Sequence, residues 1–439
     1  MHIGIVPVLS PFGGGIYQYS QTMVRVLAEL KAAEIADEIT VFLDEEDPVA
    51  AKTYQDLGVQ VTFLGPLINI KRSGVRALLG RTARVLLGRR RSELLWRRLR
   101  RGPRGWLSLA EGYEPLFRPE LARCFQQVGA ELVFYPAPTP LAFEAGIPYV
   151  MAIHDLQHRL QPEFPEVSAD GEWEAREYLF RNGARHATLL LADSEVGKED
   201  ILNCYGPYGV TADRVKVLPF LPACYLSTHV PGEEQQRVLA AHAVPARFLF
   251  YPAQFWPHKN HARIVQALEL LRQRSGERIP IVFCGSRADK LREQTYQEIV
   301  RLIRQLDLQQ QIHFLGHVPD ADMSVLYAAA TALVMPTFFG PTNIPVLEAW
   351  AFGCPVITSD IRGIREQVGD AGLLVDPRSP EAIANAIFRV WTDGALRNAL
   401  AERGRHRLAL YGPSDYRARL LDILAEAKAR VRRKSTVTP

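Results

Sequence analysis

Residues 332–357 read ALVMPTFFGPTNIPVLEAWAFGCPVI, and this stretch decides the fold. The apolar run Ala332–Met335 has no alternation, as expected of a strand covered on both faces. A loop carrying Gly340 and Pro341 follows, a helix starts near Asn343, and Pro355 delivers a second apolar run, Val356–Thr358. A strand, a helix and a strand in such close succession form a crossover unit of a parallel sheet.

The same alternation recurs outward in both directions. In the second half, strands are expected at Phe248–Tyr251, Ile281–Cys284, Ile312–Leu315, Ala332–Met335, Val356–Thr358 and Leu373–Val375. In the first half they are expected at Ile3–Val8, Ile39–Leu43, Leu132–Tyr135, Tyr149–Ile153 and Leu189–Ala192. A chain of 439 residues exceeds one ordinary core. The expected architecture is therefore α/β with two Rossmann-like domains facing a central cleft. The first domain spans 1–218, with an insertion at about 67–106. A proline-marked linker covers 219–246 (Pro219, Pro222, Pro231, Pro245), and the second domain spans 247–412. A helix in 413–439 is expected to cross back to the first domain.

Composition narrows the function classes. Hydrophobic residues at 47% and charged residues at 23% are an ordinary globular balance. The start, Met1 to Val6, reads as a strand, without the features of a secretory signal. No run of eighteen apolar residues suggests a membrane span. Five scattered cysteines without CxxC spacing point to reduced thiols in a cytoplasmic protein and to no zinc site.

Charge is uneven. Between Lys71 and Arg104 lie thirteen basic residues and one acidic, a charge of +12 that leaves −8 for the rest of a chain with net +4. Leucines, valines and tryptophans interleave with the arginines, as in an amphipathic helix lying on an anionic membrane surface. A solvated helical insertion packed on its own domain reads equally well. No nucleic-acid-binding motif accompanies the charge, so nucleic acid is not an expected partner.

The residues able to do chemistry sit where strands end. Gly13, Gly14 and Gly15 follow the first strand and precede a helix, letting backbone N–H groups approach a phosphate or sugar. Gln18 holds the last glycine's place of a GxGxxG pattern, so a dinucleotide fingerprint is absent. His154, with Asp155, ends the strand at Tyr149, the edge where open α/β sheets bind ligands. In the second half, Gln254 and Lys259 lie between a strand and a helix, and a lysine there meets a leaving diphosphate as a point charge. The Thr342 hydroxyl with backbone N–H groups of Asn343 and Ile344 makes a diphosphate cradle at a helix start, and Glu348 is placed to accept from ribose hydroxyls. Asp320 and Asp322 spell a DxD, but their setting after Pro319 favours helix capping over metal binding. His258 and His261 lack a carboxylate or cysteine at ligand spacing, so no metal is expected there either.

The run 333–375, with 253–260 and His154-Asp155, resembles the retaining GT-B glycosyltransferases of family 4. The resemblance implies a metal-independent transfer of a hexosyl unit, mannosyl as the first choice, from a GDP- or UDP-linked sugar with no cofactor. The acceptor would be a saccharide or lipid-linked saccharide of envelope or exopolysaccharide synthesis, with peripheral work at the inner membrane face. It assigns the nucleotide ribose to Glu348, the donor phosphates to Lys259, donor sugar or acceptor to His154, and a ligand loop to Gly13–Gly15. Two positions depart from the family's pattern. Its first glutamate falls on Gly340, with Thr342 and Asn343 as replacements, and its phosphate-binding arginine falls on Gln254, with Arg263 as the compensating cation. No protein general base is implied, because the donor phosphate itself helps to take the acceptor's proton. Two rival readings remain: a non-catalytic nucleotide-sugar-binding protein and a GT-B nucleotide-sugar epimerase.

Overall fold

The computed structural model describes residues 1–10, 14–33, 38–43, 47–65, 115 and 117–437, with side chains through Arg433. Gly13 and the arginine-rich segment 71–104 lie outside the described residues. The chain divides into two compact units, Met1–Leu218 with Arg419–Pro439, and Pro219–Ala418.

The first unit is built on a seven-stranded parallel sheet: β1 (His2–Ile5), β2 (Ile39–Leu43), β3 (Gln60–Phe63), β4 (Ala130–Tyr135), β5 (Tyr149–Ala152), β6 (Leu189–Ala192) and β7 (Val215–Val217). Its order is β3-β2-β1-β4-β5-β6-β7, with register such as Ile5 beside Val41 and Met151 beside Leu190. Strands β2, β5 and β6 are buried at every position, which is why they read as uninterrupted apolar runs. The two strands not anticipated, β3 (QVTF) and β7 (VKV), are the sheet's edges. Short and partly polar, they present the mixed pattern of an edge rather than the signal of a covered strand.

The second unit carries β8 (Leu249–Pro252), β9 (Ile281–Cys284), β10 (Ile312–Gly316), β11 (Ala332–Met335), β12 (Val356–Ser359) and β13 (Leu373–Val375) in the order β10-β9-β8-β11-β12-β13, all parallel. The stretch 219–246 is not a bare connection. It belongs to this unit and contains the helix Gly232–Ala241, which packs on the helix Asp320–Ala329. The last helix, Pro413–Val437, contributes its part from Arg419 onward to the first unit, where Arg430 pairs with Asp213 at 2.7 Å and Lys216 with Glu426 at 2.6 Å.

Both sheets reverse direction of winding once, between β1 and β4 in the first and between β8 and β11 in the second. At such a point the connections leave to opposite faces, and a crevice opens at the carboxyl ends of the two strands. Each sequence-derived site residue of the second unit lies on a connection that follows β8 or β11.

The helix Ile344–Ala351 after β11 is held from behind. Trp350, fully buried, donates its indole N–H to the Ala371 carbonyl at 3.2 Å. Gly404, on the helix Gly394–Ala409, lies so close that a Cβ there would sit 2.3 Å from Trp350 Cδ1. Gly404→Ala therefore displaces Trp350 and the helix carrying Glu348. It is expected to cost about 1–3 kcal/mol in denaturant unfolding, whereas an unchanged midpoint would mean that the two helices separate freely.

Candidate functional site

In the second unit, the turn after β8 and the loop after β11 are joined by main-chain bonds. The His258 carbonyl accepts from the Phe338 N–H at 2.8 Å and from the Thr337 hydroxyl at 3.1 Å. Asn260 stands in the left-handed conformation (φ 63°), and its buried amide donates to the carbonyls of Pro336 and Pro377, each at 2.7 Å. Lys259 sits on the intervening short helix, its carbonyl accepting from the Tyr251 hydroxyl at 2.8 Å and its N–H bonded to Trp256 at 2.9 Å. Lys259 and the start of the Ile344–Ala351 helix are thus held on neighbouring strands.

The helix start is narrower than the sequence suggests. The Asn343 N–H donates to Gln367 Oε1 at 2.9 Å, Pro345 has no N–H, and Val346 donates back to the Asn343 carbonyl at 3.3 Å. The Ile344 N–H remains for a ligand, while its side chain is buried. Asn343 is 6% exposed, and its Nδ2 has no partner among the described residues. A buried amide donor in that state can take a water or a ligand oxygen.

Gly340 has φ 143°, and a Cβ on it would lie 3.1 Å from the Asn343 side-chain amide. Asn343 therefore borders the space where the family's first glutamate would begin. The loop is also pinned from the other side, since a Cβ on Gly363 would meet the Pro341 carbonyl oxygen at 2.2 Å.

Glu348 is 5% exposed, and its Oε2 accepts from the Tyr327 hydroxyl at 2.6 Å. Burial pushes its pKa from the ordinary 4.5 up to about 7, a rise that the Tyr327 hydroxyl and the Ala223 N–H oppose and the Asp320 charge aids. It is a packed residue rather than one on a solvated face. Asp320 and Asp322 occupy the first turn of the helix Asp320–Ala329, where negative charge is favoured. Asp322 pairs with His242 at 2.8 Å. His261 is sandwiched between Tyr251 and Phe255, with centroids at 4.8 and 4.7 Å, and burial drives its pKa to about 3 with the neighbouring Lys259 charge adding to the effect. It is a neutral packing group.

Gln254 is engaged by an arginine that the sequence reading did not single out. Its Oε1 accepts from Arg292 Nη1 at 2.8 Å and from the Trp256 indole at 2.9 Å. Arg263 instead bonds Gln266 on its own helix at 3.1 Å. The available signal was the DxxR spacing of Asp289 and Arg292 at a helix start, since Asp289 caps that helix and pairs with Arg292.

In the first unit, Gly14 (φ 59°) introduces the helix Gly15–Ala32, a conformation glycine adopts freely. The loop after β1 is latched to that helix by the Val8 N–H on Ser20 Oγ at 2.9 Å. His154, part-buried after β5, reaches the end of β4 through Nε2 and the Pro136 carbonyl at 2.7 Å, and packs edge-on to Tyr19 at 4.7 Å. A carbonyl only accepts, so Nε2 carries the proton in that bond. Burial lowers the pKa, the Pro136 carbonyl and Asp155 opposing. Asp155 is tied to Arg176 at 2.8 Å, and behind it Glu177, 1% exposed, receives Arg159 and lies 3.4 Å from His158. His158 is a core group of this network.

Residues 233–407 match the family described as Glycosyl transferases group 1. The O-antigen chain mannosyltransferase B of Escherichia coli is 30% identical over 223 residues, 50% of this chain and 55% of that protein. The D-inositol 3-phosphate glycosyltransferase of Corynebacterium glutamicum is 24% identical over 58% of this chain and 61% of that protein. The alignments thus span less than two thirds of these curated relatives. Anabaena HepE, solved with UDP and glucose, superposes with a TM-score of 0.67 at 16% identity over 97% of this chain and 99% of that one. Sucrose-phosphate synthase from Thermosynechococcus elongatus gives 0.67 at 18% identity, covering 98% and 99%. The fold is GT-B, with the group 1 domain in its second half.

The Glu348 carboxyl yields a test that needs no ligand. Between about pH 4.5 and pH 7 the native protein keeps a proton that the unfolded chain has released. Its contribution is complete below the ordinary carboxylate value and is lost as pH rises to about 7, a change of at most about 3 kcal/mol. Glu348→Gln does not ionise, so its stability relative to the parent should improve from about pH 5 to about pH 8 by that order. Denaturant melts at both values measure it, and an equal difference at the two would refute the raised pKa.

Proposed function

We propose that the chain is a retaining, metal-independent glycosyltransferase that moves a hexosyl unit, mannose by preference, from a nucleotide sugar to a saccharide or lipid-linked saccharide. The observation that carries this reading is the joining of Lys259 and the helix start at Asn343 and Ile344 across the crevice between β8 and β11, within the group 1 domain. Lys259 stabilises the leaving diphosphate as a point charge. Thr342, the Asn343 amide and the Ile344 N–H meet phosphate or sugar, and Glu348 holds ribose. In the first unit His154 and the loop at Gly13–Gly15 serve the acceptor or the donor sugar. Mannose is favoured by the E. coli relative, and a UDP-linked donor is the alternative in view of HepE. A cytoplasmic site of action beside an anionic membrane accords with the arginines of 71–104, and no helix among the described residues is long and apolar enough to cross a membrane.

Retention needs a nucleophile that attacks on the face the leaving group departs from, with the donor phosphate taking its proton. The protein's part is then to hold the donor and stabilise charge on the diphosphate, which the residues above are suited to do. Gly340 in place of an acidic residue and Gln254 in place of an arginine are the features that favour a binding protein without turnover.

Two experiments decide between these readings. Purified protein is melted with GDP, UDP and their sugar conjugates, with and without EDTA. A true donor at 100 times its Kd adds about 2.7 kcal/mol, and EDTA leaves the shift in place. Donor consumed only with acceptor supports the transferase, consumption without acceptor supports an epimerase, and binding without either supports the non-catalytic reading. Lys259→Met should then reduce turnover by about 10²–10³ while leaving the melt of the free protein unchanged.

The second experiment replaces Gly340 by glutamate. A side chain is disfavoured at φ 143°, and its Cβ would press on the Asn343 amide at 3.1 Å, so Gly340→Glu should strain the present loop and lower donor affinity and turnover. A gain of activity would show that the loop tolerates the acidic form.

A further inference from the structure

We propose that Arg292 is a phosphate-binding residue which supplies, from the connection after β9, a second cation for the donor diphosphate beside Lys259. The inference rests on the donor-binding reading above. It starts from how the chain leaves β9. Gly285 lies so close to β8's exit that a Cβ would meet the Ala253 carbonyl oxygen at 2.3 Å, so the next connection begins against the backbone of Ala253 and Gln254. Asp289 then caps the helix Lys290–Gln305 by accepting from the Arg292 N–H at 2.9 Å, which places Arg292 in its first turn.

Three contacts fix the guanidinium. Nε donates to Asp289 Oδ2 at 2.5 Å, Nη1 donates to Gln254 Oε1 at 2.8 Å, and the group lies over the Trp256 ring at 4.8 Å. Trp256 belongs to the turn of Lys259, whose N–H bonds the Trp256 carbonyl at 2.9 Å. The Arg292 guanidinium therefore packs on the same short turn, Gln254–Lys259, that carries Lys259. Arg292 is only 9% exposed, yet the described bonds occupy Nε and Nη1 and leave Nη2 without a partner. Its carboxylate partner is 40% exposed and screened by water. A guanidinium held flat by a stack and a tether, with one edge unspent, suits an anionic oxygen better than it suits packing alone. A planar fork beside a point charge is the donor set for two linked phosphates.

The test compares ligands rather than activity alone. Calorimetry on the full chain measures affinity for a nucleoside, its monophosphate and its diphosphate, using the base that the parent protein binds. Arg292→Met should weaken the diphosphate by about 10- to 100-fold, the worth of one charge-assisted hydrogen bond, with nucleoside affinity unchanged. Arg292→Lys, which keeps the charge and the tether to Asp289, should recover part of the loss, and it remains informative if the methionine variant does not fold. Equal losses for nucleoside and diphosphate, or no loss for either variant, would overturn the proposal while leaving the donor reading intact. Absence of any nucleotide binding by the parent protein would overturn both.

Discussion

The second unit's site depends on one side chain, Asn260. Its amide nitrogen donates both hydrogens, to Pro336 after β11 and to Pro377 after β13, from a residue that itself ends the turn after β8. Three strand exits are thereby joined at one buried point. The choice of residue is constrained twice. The left-handed backbone at φ 63° excludes most side chains but admits asparagine, and two buried proline carbonyls require two donors on one atom. Aspartate has the shape but no donors, and glycine has the conformation but no side chain. Once Asn260 is in place, the His258 carbonyl faces the Thr337–Phe338 segment, and the positions of Lys259 and the next helix follow.

That rigidity explains how a buried carboxyl comes to lie there at all. Glu348 is on a helix braced by Trp350 and cannot turn to solvent, so its charge is opposed by burial and by Asp320 and relieved by the Tyr327 hydroxyl and the Ala223 N–H. Near neutral pH the two protonation states are close in free energy. A ligand offering hydroxyl donors would tip the balance towards the carboxylate, the form that accepts from both edges. His261 shows the opposite case. Enclosed by aromatic rings at a helix start beside Lys259, it stays neutral and serves as part of the wall.

Much of this was legible because covered strands announce themselves. Several strands of the second sheet read as continuous apolar runs, and the crossover units around them set the parallel topology, so the residues at their exits could be named in advance. What was not legible lay at edges and in long-range geometry. Strands β3 and β7 are edges with few fully covered positions to impose an apolar run, and the stretch 219–246, marked by prolines like a linker, instead holds a helix and brings the Ala223 N–H to Glu348. Sequence offered Arg263, one helical turn beyond Lys259, as the compensating cation for the diphosphate. The arginine that reaches Gln254 comes from a different connection, through the close approach at Gly285, and no local spacing encodes that. The helix start at Asn343 was recognisable, but the diversion of its N–H to Gln367, on the helix Arg362–Val368, was not.

The two departures from the resembled pattern, Gly340 and Gln254, also bear on each other. One removes a negative side chain from the edge of the site and the other removes a positive one, so the formal charge contributed by the pair is unchanged. A diphosphate site that kept the acid and lost the cation would repel its ligand, and one that kept the cation alone would gain charge at the cost of specificity. Gly340 is moreover not a simple truncation. Its backbone at φ 143° is one that a side chain disfavours, and the Asn343 amide borders the space thus left. The Asn343 amide can donate to a phosphate or hydroxyl oxygen through Nδ2 and accept from a hydroxyl hydrogen through Oδ1, and both atoms lie 3.1 Å from the place of a Cβ on Gly340. The loop around this glycine is held in place by Gly363 and Gln367. Gly340 therefore leaves a polar side chain, not an apolar gap, at this edge of the loop.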